Sequence, residues 1–304
     1  MSSLENRVVV VTGAGRGIGR EHALLAAAEG ARVVVNDIGA GPDGRGSDPS
    51  FAAEVVEQIT AAGGAAVAST ADVRTMSGAE ELLALALDTY GRVDGLVNNA
   101  GILRDKMFAN MSEDDWDAVI EGQLKATFAP SRVFAAHWRD ESKAGRQPSA
   151  SLVNVPSTSG LIGAVGQSNY GAAKAGIAAL TGILSQELVR YGVRANAVTP
   201  VARTRMTEDL PKIGEMVAAP SDPDEFDVYH PGNVSPLVAW LLTEDCPENG
   251  SVWYAKGGEI RRFAGWSYEW QMDKGERWTV AELDKELRAR AEAAGSDSDS
   301  NPHG

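Results

Sequence analysis

The sequence predicts an α/β protein whose mainly parallel sheet is covered by helices on both faces. Short β-branched runs alternate with helical segments of about ten or more residues, from residue 8 to about residue 258. This alternation is typical of right-handed βαβ units, which place helices on both sides of a parallel sheet. The second observation is a glycine-rich turn between the first strand and the first helix, at the place where such sheets bind ligands.

Each predicted strand is a short apolar run that stops at turn-forming residues. The first one, 8–11, is four valines followed by Thr12 and Gly13, which is typical of a buried strand. The predicted strands are 8–11, 33–35, 65–68, 95–97, 150–155, 194–199 and 251–254.

The predicted helices carry apolar residues three and four positions apart. The loop 39–50 between two of these elements is rich in Gly, Pro and Asp. The predicted helices are 18–29, 51–62, 79–90, 169–191 and 236–242, and 113–137 holds either one helix or two.

We predict one domain, 1–258, because neither a repeat nor a composition shift interrupts it. A Trp-rich extension follows at 259–294, with a helix predicted over 279–293. Its tryptophans, Trp266, Trp270 and Trp278, either cover an apolar substrate or pack on the domain or a neighbouring subunit, and packing is the favoured interpretation. The last residues, 295–304, are small and polar and predict a disordered tail.

The composition argues against several classes of partner. The 304 residues carry a net charge of −14, whereas nucleic acids and anionic membranes attract basic surfaces. No apolar run approaches the roughly 20 residues that span a bilayer, and the first residues lack the pattern of a signal peptide. Cys246 is the single cysteine, which favours a reducing compartment. We therefore expect a cytoplasmic protein that acts on small molecules, without nucleic acid or membrane as a partner.

The turn 12–19 has the composition of a diphosphate-binding loop. It reads Thr-Gly-Ala-Gly-Arg-Gly-Ile-Gly. Glycines let the backbone approach a diphosphate closely, and the helix N-terminus then supplies free N–H groups and a positive dipole end. The strand before the turn and the helix after it are the context that this motif requires. The predicted dinucleotide contacts in this turn are Gly13, Arg16, Gly17, Ile18 and Gly19.

Asp37 ends the second predicted strand. A carboxylate at this position can accept hydrogen bonds from both ribose hydroxyls of an adenosine, and it would repel a 2′-phosphate. Arg16 is an opposing signal, because a guanidinium can bind that phosphate. We predict NAD as the cofactor; the alternative for Asp37 is a turn or capping role.

Two further strand ends carry candidate cofactor contacts. Asp72 and Val73 follow the third strand, where a side-chain oxygen and a backbone N–H can meet the adenine edge. Asn99, Ala100 and Gly101 follow the fourth, where small residues let the adenosine lie against the backbone. The alternative in both places is ordinary turn chemistry.

Tyr170 and Lys174 are four residues apart on one predicted helix, so their side chains share a face. A phenol with a pKa of about 10 is a poor proton acceptor at neutral pH. An ammonium at about 4 Å would lower the pKa of Tyr170 by up to about 3, and it could also hold the nicotinamide ribose. Ser157 ends a predicted strand and can hydrogen-bond the oxygen of a substrate. We predict these three as the catalytic residues, with no metal ion.

Together these motifs resemble the short-chain dehydrogenase/reductase family. The resemblance covers about residues 5–258 and is carried by 12–19, 98–101, Ser157, Tyr170 and Lys174. It implies a Rossmann-type, doubly wound sheet and a homotetrameric enzyme that acts on CH–OH groups with NAD(P). It also implies that Tyr170 and Lys174 contact the cofactor and that the segment containing Thr204 lines the nicotinamide.

A closer resemblance is to the dehydrogenase unit of peroxisomal type-2 multifunctional enzymes and to bacterial hydroxysteroid and 3-hydroxyacyl-CoA dehydrogenases. It is carried by 34–39, 99–105 and 246–250. It implies a 3-hydroxyacyl-CoA substrate with a fatty or steroid-derived acyl group. The alternatives are a hydroxysteroid or other bulky alcohol, an NADPH-linked ketoreductase, and a non-catalytic NAD-sensing protein.

Two positions depart from the family pattern. Gln123 stands where many members have an Asn that holds a water of the proton relay, and Pro200-Val201 stands in place of Pro-Gly. A CoA substrate would further require a basic cluster near the mouth of the site, for which surface ion pairing is the alternative. The candidate residues are Arg203, Arg205, Arg261 and Arg262.

Overall fold

In the computed structural model, which describes residues 2–41, 43–204, 213–222 and 224–298, eight strands form one sheet. The strands are β1 (Val8–Thr12), β2 (Arg32–Asn36), β3 (Ala65–Ser69), β4 (Gly95–Asn98), β5 (Ala150–Asn154), β6 (Val193–Pro200), β7 (Val252–Lys256) and β8 (Glu259–Arg262).

The sheet order is β3-β2-β1-β4-β5-β6-β7-β8. The strands β1 to β7 pair in parallel, which confirms the predicted doubly wound α/β fold. Strand β8 pairs antiparallel with β7 and was not predicted. All four of its residues are exposed, so it has no alternation of apolar and polar positions, although Gly257-Gly258 before it is a hairpin signal.

Helices connect the parallel strands and continue beyond them. They are α1 (Gly17–Ala28), α2 (Ser50–Ala61), α3 (Met76–Tyr90), α4 (Glu113–Val119), α5 (Ala126–Lys143), α6 (Thr158–Leu161), α7 (Ser168–Leu188), α8 (Ile213–Met216), α9 (Ser235–Leu242) and α10 (Val280–Ser298).

Alternate strand residues face two separate cores, as a sheet covered on both sides requires. Val9 and Val11 of β1 lie in one core, together with buried residues of α1, α2 and α9. Val10 lies in the other core, where Phe134 and Trp138 of α5 pack with their rings 5.8 Å apart. The burial of both faces explains why the strands consist of continuous apolar runs.

The predicted helix over 113–137 is one helical stretch with a change of pitch. A π-helical turn, Ile120–Lys125, joins α4 to α5. Ser112 and Asp115 form a capping box that begins α4, with the Asp115 N–H donating to Ser112 Oγ at 3.1 Å. Because π turns are frequent at functional sites, Gln123 within this turn is a candidate functional residue.

The strand order reverses between β1 and β4, so the carboxyl ends of these strands diverge and open a crevice. In open α/β sheets, ligands bind at this switch point. The glycine-rich turn follows β1, Asp37 follows β2, and Asn99 follows β4. The topology therefore brings residues that are distant in sequence to one edge of the sheet.

Two compact units divide the chain, Met1–Phe263 and Ala264–Gly304. The first unit ends beyond the predicted boundary at residue 258 because β8 belongs to the sheet. In the second unit, Lys274 Nζ lies 5.2 Å from the centre of the Trp278 ring, and the Arg290 guanidinium lies 4.5 Å from that of Trp270. Trp266 is 95% exposed, and the packing role proposed for the three tryptophans stays a prediction.

The last helix, α10, runs to Ser298 and so extends into the segment that was expected to be disordered from residue 295. The rest of that predicted tail, 299–304, lies outside the described residues. Within the described ranges, no helix combines the length and apolarity needed to cross a bilayer.

Candidate active site

The glycine-rich turn folds tightly against the end of β4. Gly13 has φ +62°, a conformation that favours glycine. A Cβ on Gly19 would lie 2.1 Å from the Gly13 carbonyl oxygen, so a larger residue cannot occupy this position without a shift of the backbone. Asn99 Nδ2 donates to the carbonyl oxygens of Thr12 and Gly13, both at 3.0 Å. The amide of Asn99 therefore holds the turn in place.

Helix α1 begins at Gly17, directly after this turn. Its first N–H groups receive no side-chain cap from Arg16, the residue before the helix. Free N–H groups and the positive end of the helix dipole are what a diphosphate requires. The Arg16 guanidinium stacks 3.5 Å from the centre of the Phe51 ring and donates to the Ala40 carbonyl oxygen at 3.0 Å.

Asp37 lies at the end of β2 with both carboxylate oxygens accepting from backbone. Oδ2 accepts from Gly15 N at 2.9 Å, and Oδ1 accepts from Gly39 N at 2.7 Å. A carboxylate has about four lone-pair sites, so two hydroxyl groups can still donate to it. The backbone bonds orient the group, and the remaining sites suit a ribose diol.

Asp72 is paired with a residue that was not predicted. Arg74 donates to its two carboxylate oxygens from Nε at 2.8 Å and from Nη2 at 2.7 Å. These hydrogen bonds keep the pKa of Asp72 below its usual value. The ion pair forms one wall of a cleft at the sheet edge, and the Asp-x-Arg spacing is the signal that could have revealed it.

This cleft is open to solvent. Every predicted cofactor contact other than Tyr170 and Lys174 lines it. These residues are Gly13, Arg16, Gly17, Ile18, Gly19, Asp37, Asp72, Val73, Asn99, Ala100, Gly101 and Thr204. The prediction missed several other lining residues, among them Asn36, Ile38, Gly41, Gly44, Arg74, Ile102, Gly122 and Ala126.

The residues of the cleft fit an adenine dinucleotide. The turn before α1 suits the diphosphate, the Asp37 carboxylate suits a ribose, and the small residues after β4 leave room beside the backbone. A Cβ on Gly101 would lie 2.4 Å from Gln123 Oε1, so this wall is already closely packed. The described part of the chain holds no cluster of three or more potential metal ligands.

The predicted chemical residues lie at the carboxyl end of β5 and on α7. Ser157 precedes α6, and its Oγ accepts from Ser159 N at 3.2 Å. The Tyr170 side chain hydrogen-bonds Ser157. Lys174 Nζ lies 5.4 Å from the centre of the Tyr170 ring and donates to the Val155 carbonyl oxygen at 2.6 Å. The three residues therefore form one group next to the end of β4.

The pKa values of this group differ from the expectation. Burial raises the pKa of Tyr170 to about 12; its hydrogen bond with Ser157 opposes the rise, and the charge of Asp105 adds to it. Burial also lowers the pKa of Lys174 to about 7. The predicted lowering of the phenol pKa by Lys174 is therefore wrong for the protein alone, because helix spacing does not show how strongly a site is desolvated.

Gln123 occupies the π turn and is 1% exposed. Its Nε2 donates to the Ile102 carbonyl oxygen at 2.6 Å, next to the wall of the cleft. Its Oε1 is buried and has no hydrogen-bond partner among the described residues. An unpartnered buried amide oxygen costs free energy, so a role for this atom is expected.

Two residues at the start of α7 escaped the prediction. Asn169 is fully buried, and its Nδ2 donates to the carbonyl oxygens of Arg104 and Asp115, both at 3.0 Å. Gln167 Nε2 donates to Asp105 Oδ2 at 2.8 Å. The Gln-x-x-Tyr spacing was visible in the sequence, but Arg104, Asp105 and Asp115 lie more than fifty residues away.

Three of the four arginines considered for CoA binding lie within the described residues, and each is engaged in an ion pair. Arg203 pairs with Asp227, Arg261 with Glu259, and Arg262 with Glu248. Arg205 lies outside the described residues. At Pro200-Val201, where the family has Pro-Gly, Val201 N donates to the Ala255 carbonyl oxygen at 2.9 Å. Thr204, which follows this segment, still lines the cleft.

Comparisons with known proteins agree with this geometry. The family described as short chain dehydrogenase matches residues 7–213. A hydroxyacyl-CoA dehydrogenase of Mycobacterium tuberculosis, ChsB1, is 42% identical over 94% of this chain and 89% of its own length. The peroxisomal multifunctional enzyme type 2 of Mus musculus is 40% identical over 84% of this chain, which spans 32% of that longer protein. The crystal structure of a short chain dehydrogenase from Mycobacterium avium superposes with a TM-score of 0.83 at 48% identity, covering 94% of this chain and 95% of that one.

Proposed function

The chain belongs to the short-chain dehydrogenase/reductase family of oxidoreductases that act on CH–OH groups, and we propose that it uses NAD to interconvert a secondary alcohol and a ketone. The single observation that supports this most is the grouping of Ser157, Tyr170 and Lys174 at the carboxyl end of β5, the strand that pairs with β4. Such a group, made of a hydroxyl, a phenol and an amine in contact, suits proton transfer to and from a substrate oxygen.

The cleft supports NAD rather than NADP. Asp37 is oriented by two backbone N–H groups and would bring a negative charge next to a 2′-phosphate. Arg16, the opposing signal, stacks on Phe51 and bonds the Ala40 carbonyl oxygen. When bound, NAD⁺ supplies the acceptor for the hydride of the carbinol carbon, and its ring charge favours the phenolate of Tyr170.

The protein groups divide the proton chemistry. The Ser157 hydroxyl donates a hydrogen bond to the substrate oxygen and steadies developing alkoxide charge. Tyr170 Oη accepts the hydroxyl proton during oxidation and returns it during reduction. Lys174, held by the Val155 carbonyl oxygen, provides positive charge next to the ring when it is protonated.

For the substrate we propose a 3-hydroxyacyl-CoA with a fatty or steroid-derived acyl group. The support is the similarity to a hydroxyacyl-CoA dehydrogenase over nearly the whole chain. Apolar side chains are exposed on the segments around residues 107–108 and 162–165. A hydrogen bond from Lys106 N to the Gly166 carbonyl oxygen joins these two segments. These side chains are Met107, Phe108, Ile162 and Val165. Such a surface suits an apolar acyl group.

One observation favours a second candidate, a hydroxysteroid or another bulky alcohol without CoA. The three candidate arginines within the described residues, Arg203, Arg261 and Arg262, pair with acidic neighbours, as the ion-pairing alternative predicted. A free alcohol needs no such cluster. We also propose a homotetramer, from the family resemblance, and a cytoplasmic location, from the single cysteine.

Steady-state formation of NADH tests the proposal. We expect turnover with NAD and a 3-hydroxyacyl-CoA that exceeds turnover with the matching free alcohol. Higher turnover of the free alcohol would instead support the second candidate. NAD binding without NADH formation from any alcohol would support a non-catalytic sensor, and faster ketone reduction with NADPH would support a ketoreductase.

A further inference from the structure

A segment after β4, Arg104 to Lys106, holds the start of the helix that carries Tyr170. Asn169 Nδ2 donates to the Arg104 carbonyl oxygen at 3.0 Å, Gln167 Nε2 donates to Asp105 Oδ2 at 2.8 Å, and Lys106 N donates to the Gly166 carbonyl oxygen at 2.9 Å. The first and last of these bonds use backbone atoms of the segment. Only the bond at Asp105 depends on a side chain of the segment itself.

The bond at Asp105 continues toward Ser157. Ser159 Oγ donates to Gln167 Oε1 at 2.7 Å, and Ser159 N donates to Ser157 Oγ at 3.2 Å. A chain of hydrogen bonds therefore runs from Asp105 through Gln167 and Ser159 to Ser157. The two side-chain links depend on the orientation of the Gln167 amide, whereas the last link is a backbone N–H that always donates to Ser157 Oγ.

The charge of Asp105 sets the direction of the two side-chain links in this chain. An amide can turn by 180° and exchange its oxygen for its nitrogen, so its partners decide the orientation. An ionised carboxylate only accepts, so Gln167 must direct Nε2 toward Asp105 and Oε1 toward Ser159. The Ser159 hydroxyl then donates to Gln167, and the Ser159 N–H donates to Ser157 Oγ. The Ser157 hydroxyl hydrogen is left to point toward Tyr170 or the substrate oxygen.

We propose that Asp105 is a positioning residue that, through Gln167 and the Ser159 hydroxyl, holds the Ser159 N–H against Ser157 Oγ and so leaves the Ser157 hydroxyl hydrogen free to point toward the substrate oxygen. The inference rests on the proposed function, because it gives Ser157 its donor role. The surroundings of Asp105 support it. Its Oδ1 is buried without a hydrogen-bond partner among the described residues, so the single bond from Gln167 is the only one found for this half-buried carboxyl group. Desolvation raises the pKa of Asp105, and that bond opposes the rise.

An exchange of the two groups tests the direction of the chain. In Asp105→Asn, the new amide can donate to Gln167 as well as accept from it, so the orientation of Gln167 is no longer fixed. In Gln167→Glu, a second carboxylate faces Asp105. We expect each single variant to lower kcat by roughly 10- to 100-fold with little change in KM, as loss of a hydrogen bond to a charged group implies. The double variant Asp105→Asn/Gln167→Glu restores a donor opposite an acceptor, and Ser159 can still donate to the glutamate. We expect its kcat to return to within about threefold of wild type.

A matched control removes a different carboxylate near the same segment. Asp114 pairs with Arg104 at 2.8 Å and its side chain is 79% exposed, so Asp114→Asn should leave kcat unchanged. Thermal unfolding and the Kd for NADH, measured by fluorescence, would establish that each variant folds and binds. A double variant no faster than the single ones, or single variants with wild-type kcat, would overturn the positioning role. If Tyr170→Phe also turned over substrate normally, the proposed function itself would fail. If Tyr170→Phe were inactive, the proposed function would stand and only the positioning role of Asp105 would be overturned.

Discussion

Lys174 Nζ lies 5.4 Å from the centre of the Tyr170 ring, one turn further along the same helix. Burial shifts the two pKa values in opposite directions, to about 12 for the phenol and to about 7 for the amine. Each shift favours the neutral form. The protein alone therefore holds a neutral phenol beside an amine close to its titration point at neutral pH. Additional positive charge beside the ring is needed before Tyr170 can act as a base.

The first prediction concerns the phenol. Tyr170→Phe keeps the ring but removes the hydroxyl that hydrogen-bonds Ser157. Positioned acid–base groups typically contribute about 10²- to 10⁴-fold, so we expect kcat to fall by at least about 100-fold. The Kd for NADH should change by less than about threefold. Stopped-flow measurement of hydride transfer checks this directly.

Tyr191→Phe is the matched control for that variant. Tyr191 lies in the 3₁₀ turn after α7 and contacts Arg190 rather than the active site. It should keep wild-type turnover. Near-normal hydride transfer in Tyr170→Phe would contradict the assignment of the proton acceptor.

Residues whose role depends on local backbone geometry were predictable from the sequence. Gly13 and Gly19 stand where only glycine suits the turn, and Asp37 stands at a strand end, so their position in the cleft follows from the βαβ pattern. Strand β8 was not predictable from periodicity, because every residue of Glu259–Arg262 is exposed. Its only local signal was Gly257-Gly258.

Properties that depend on packing were not predictable. The bond between Asp105 and Gln167 joins positions 62 residues apart, and nothing in the local sequence of either residue indicates that the two meet. The high pKa of Tyr170 results from desolvation, which helix spacing does not reveal. Gln123 was identified as a departure, but its bond to the Ile102 carbonyl oxygen required the structure.

The second prediction concerns cofactor choice. Asp37→Ser removes the charge that would face a 2′-phosphate and weakens the bonds to Gly15 N and Gly39 N. We expect the ratio of kcat/KM for NADP to that for NAD to rise on the order of 100-fold, since a unit charge at about 4 Å contributes several kcal/mol. Steady-state kinetics with both cofactors measure the ratio.

Asp43→Ser is the control for cofactor choice. Asp43 is an exposed residue of the same loop, and its carboxylate accepts from Arg45 N at 3.1 Å. Asp43→Ser changes the net charge by the same amount as Asp37→Ser, but away from the ribose site. The ratio of kcat/KM for NADP to that for NAD should therefore change by less than about threefold. If both variants shifted the ratio alike, overall charge rather than the position of Asp37 would govern the preference.

The third prediction concerns the buried amide in the π turn. Gln123→Leu leaves the Ile102 carbonyl oxygen without its donor, which costs about 1–3 kcal/mol. The side chain in Gln123→Asn is too short to keep the hydrogen bond to the Ile102 carbonyl oxygen, but it retains an amide that can hold a water. If the amide serves the proton relay, we expect kcat to fall roughly 10- to 100-fold in the Leu variant and by less than about threefold in the Asn variant.

Chemical unfolding separates the two roles of Gln123. Both variants lose the bond to Ile102, so their free energies of unfolding should fall by similar amounts. Equal losses of kcat in the two variants would indicate that Gln123 acts only by packing.

The fourth prediction concerns the stability of the protein in acid. His22 of α1 is buried, its Nδ1 lies 2.8 Å from Ser235 Oγ of α9, and burial lowers its pKa to about 3. In the unfolded chain a histidine titrates near a pKa of about 6.5. Between these two values the unfolded chain binds one proton more than the folded protein does. The free energy of unfolding therefore falls as the pH drops below about 6.5, by up to about 1.4 kcal/mol per pH unit from this group, and is unaffected by it above that pH.

Urea unfolding at pH 7, 6 and 5 would measure this slope. His22→Gln cannot gain the proton, so its free energy of unfolding should fall less steeply with acid than that of the wild type, by about 1 kcal/mol between pH 6 and pH 5. His230→Gln changes an exposed histidine and should keep the wild-type slope. Because the contact with Ser235 joins α1 to α9, His22→Gln also measures what this neutral pair contributes at pH 7, where protonation of the histidine contributes little. Parallel slopes for the wild type and His22→Gln would show that other groups cause the loss of stability in acid.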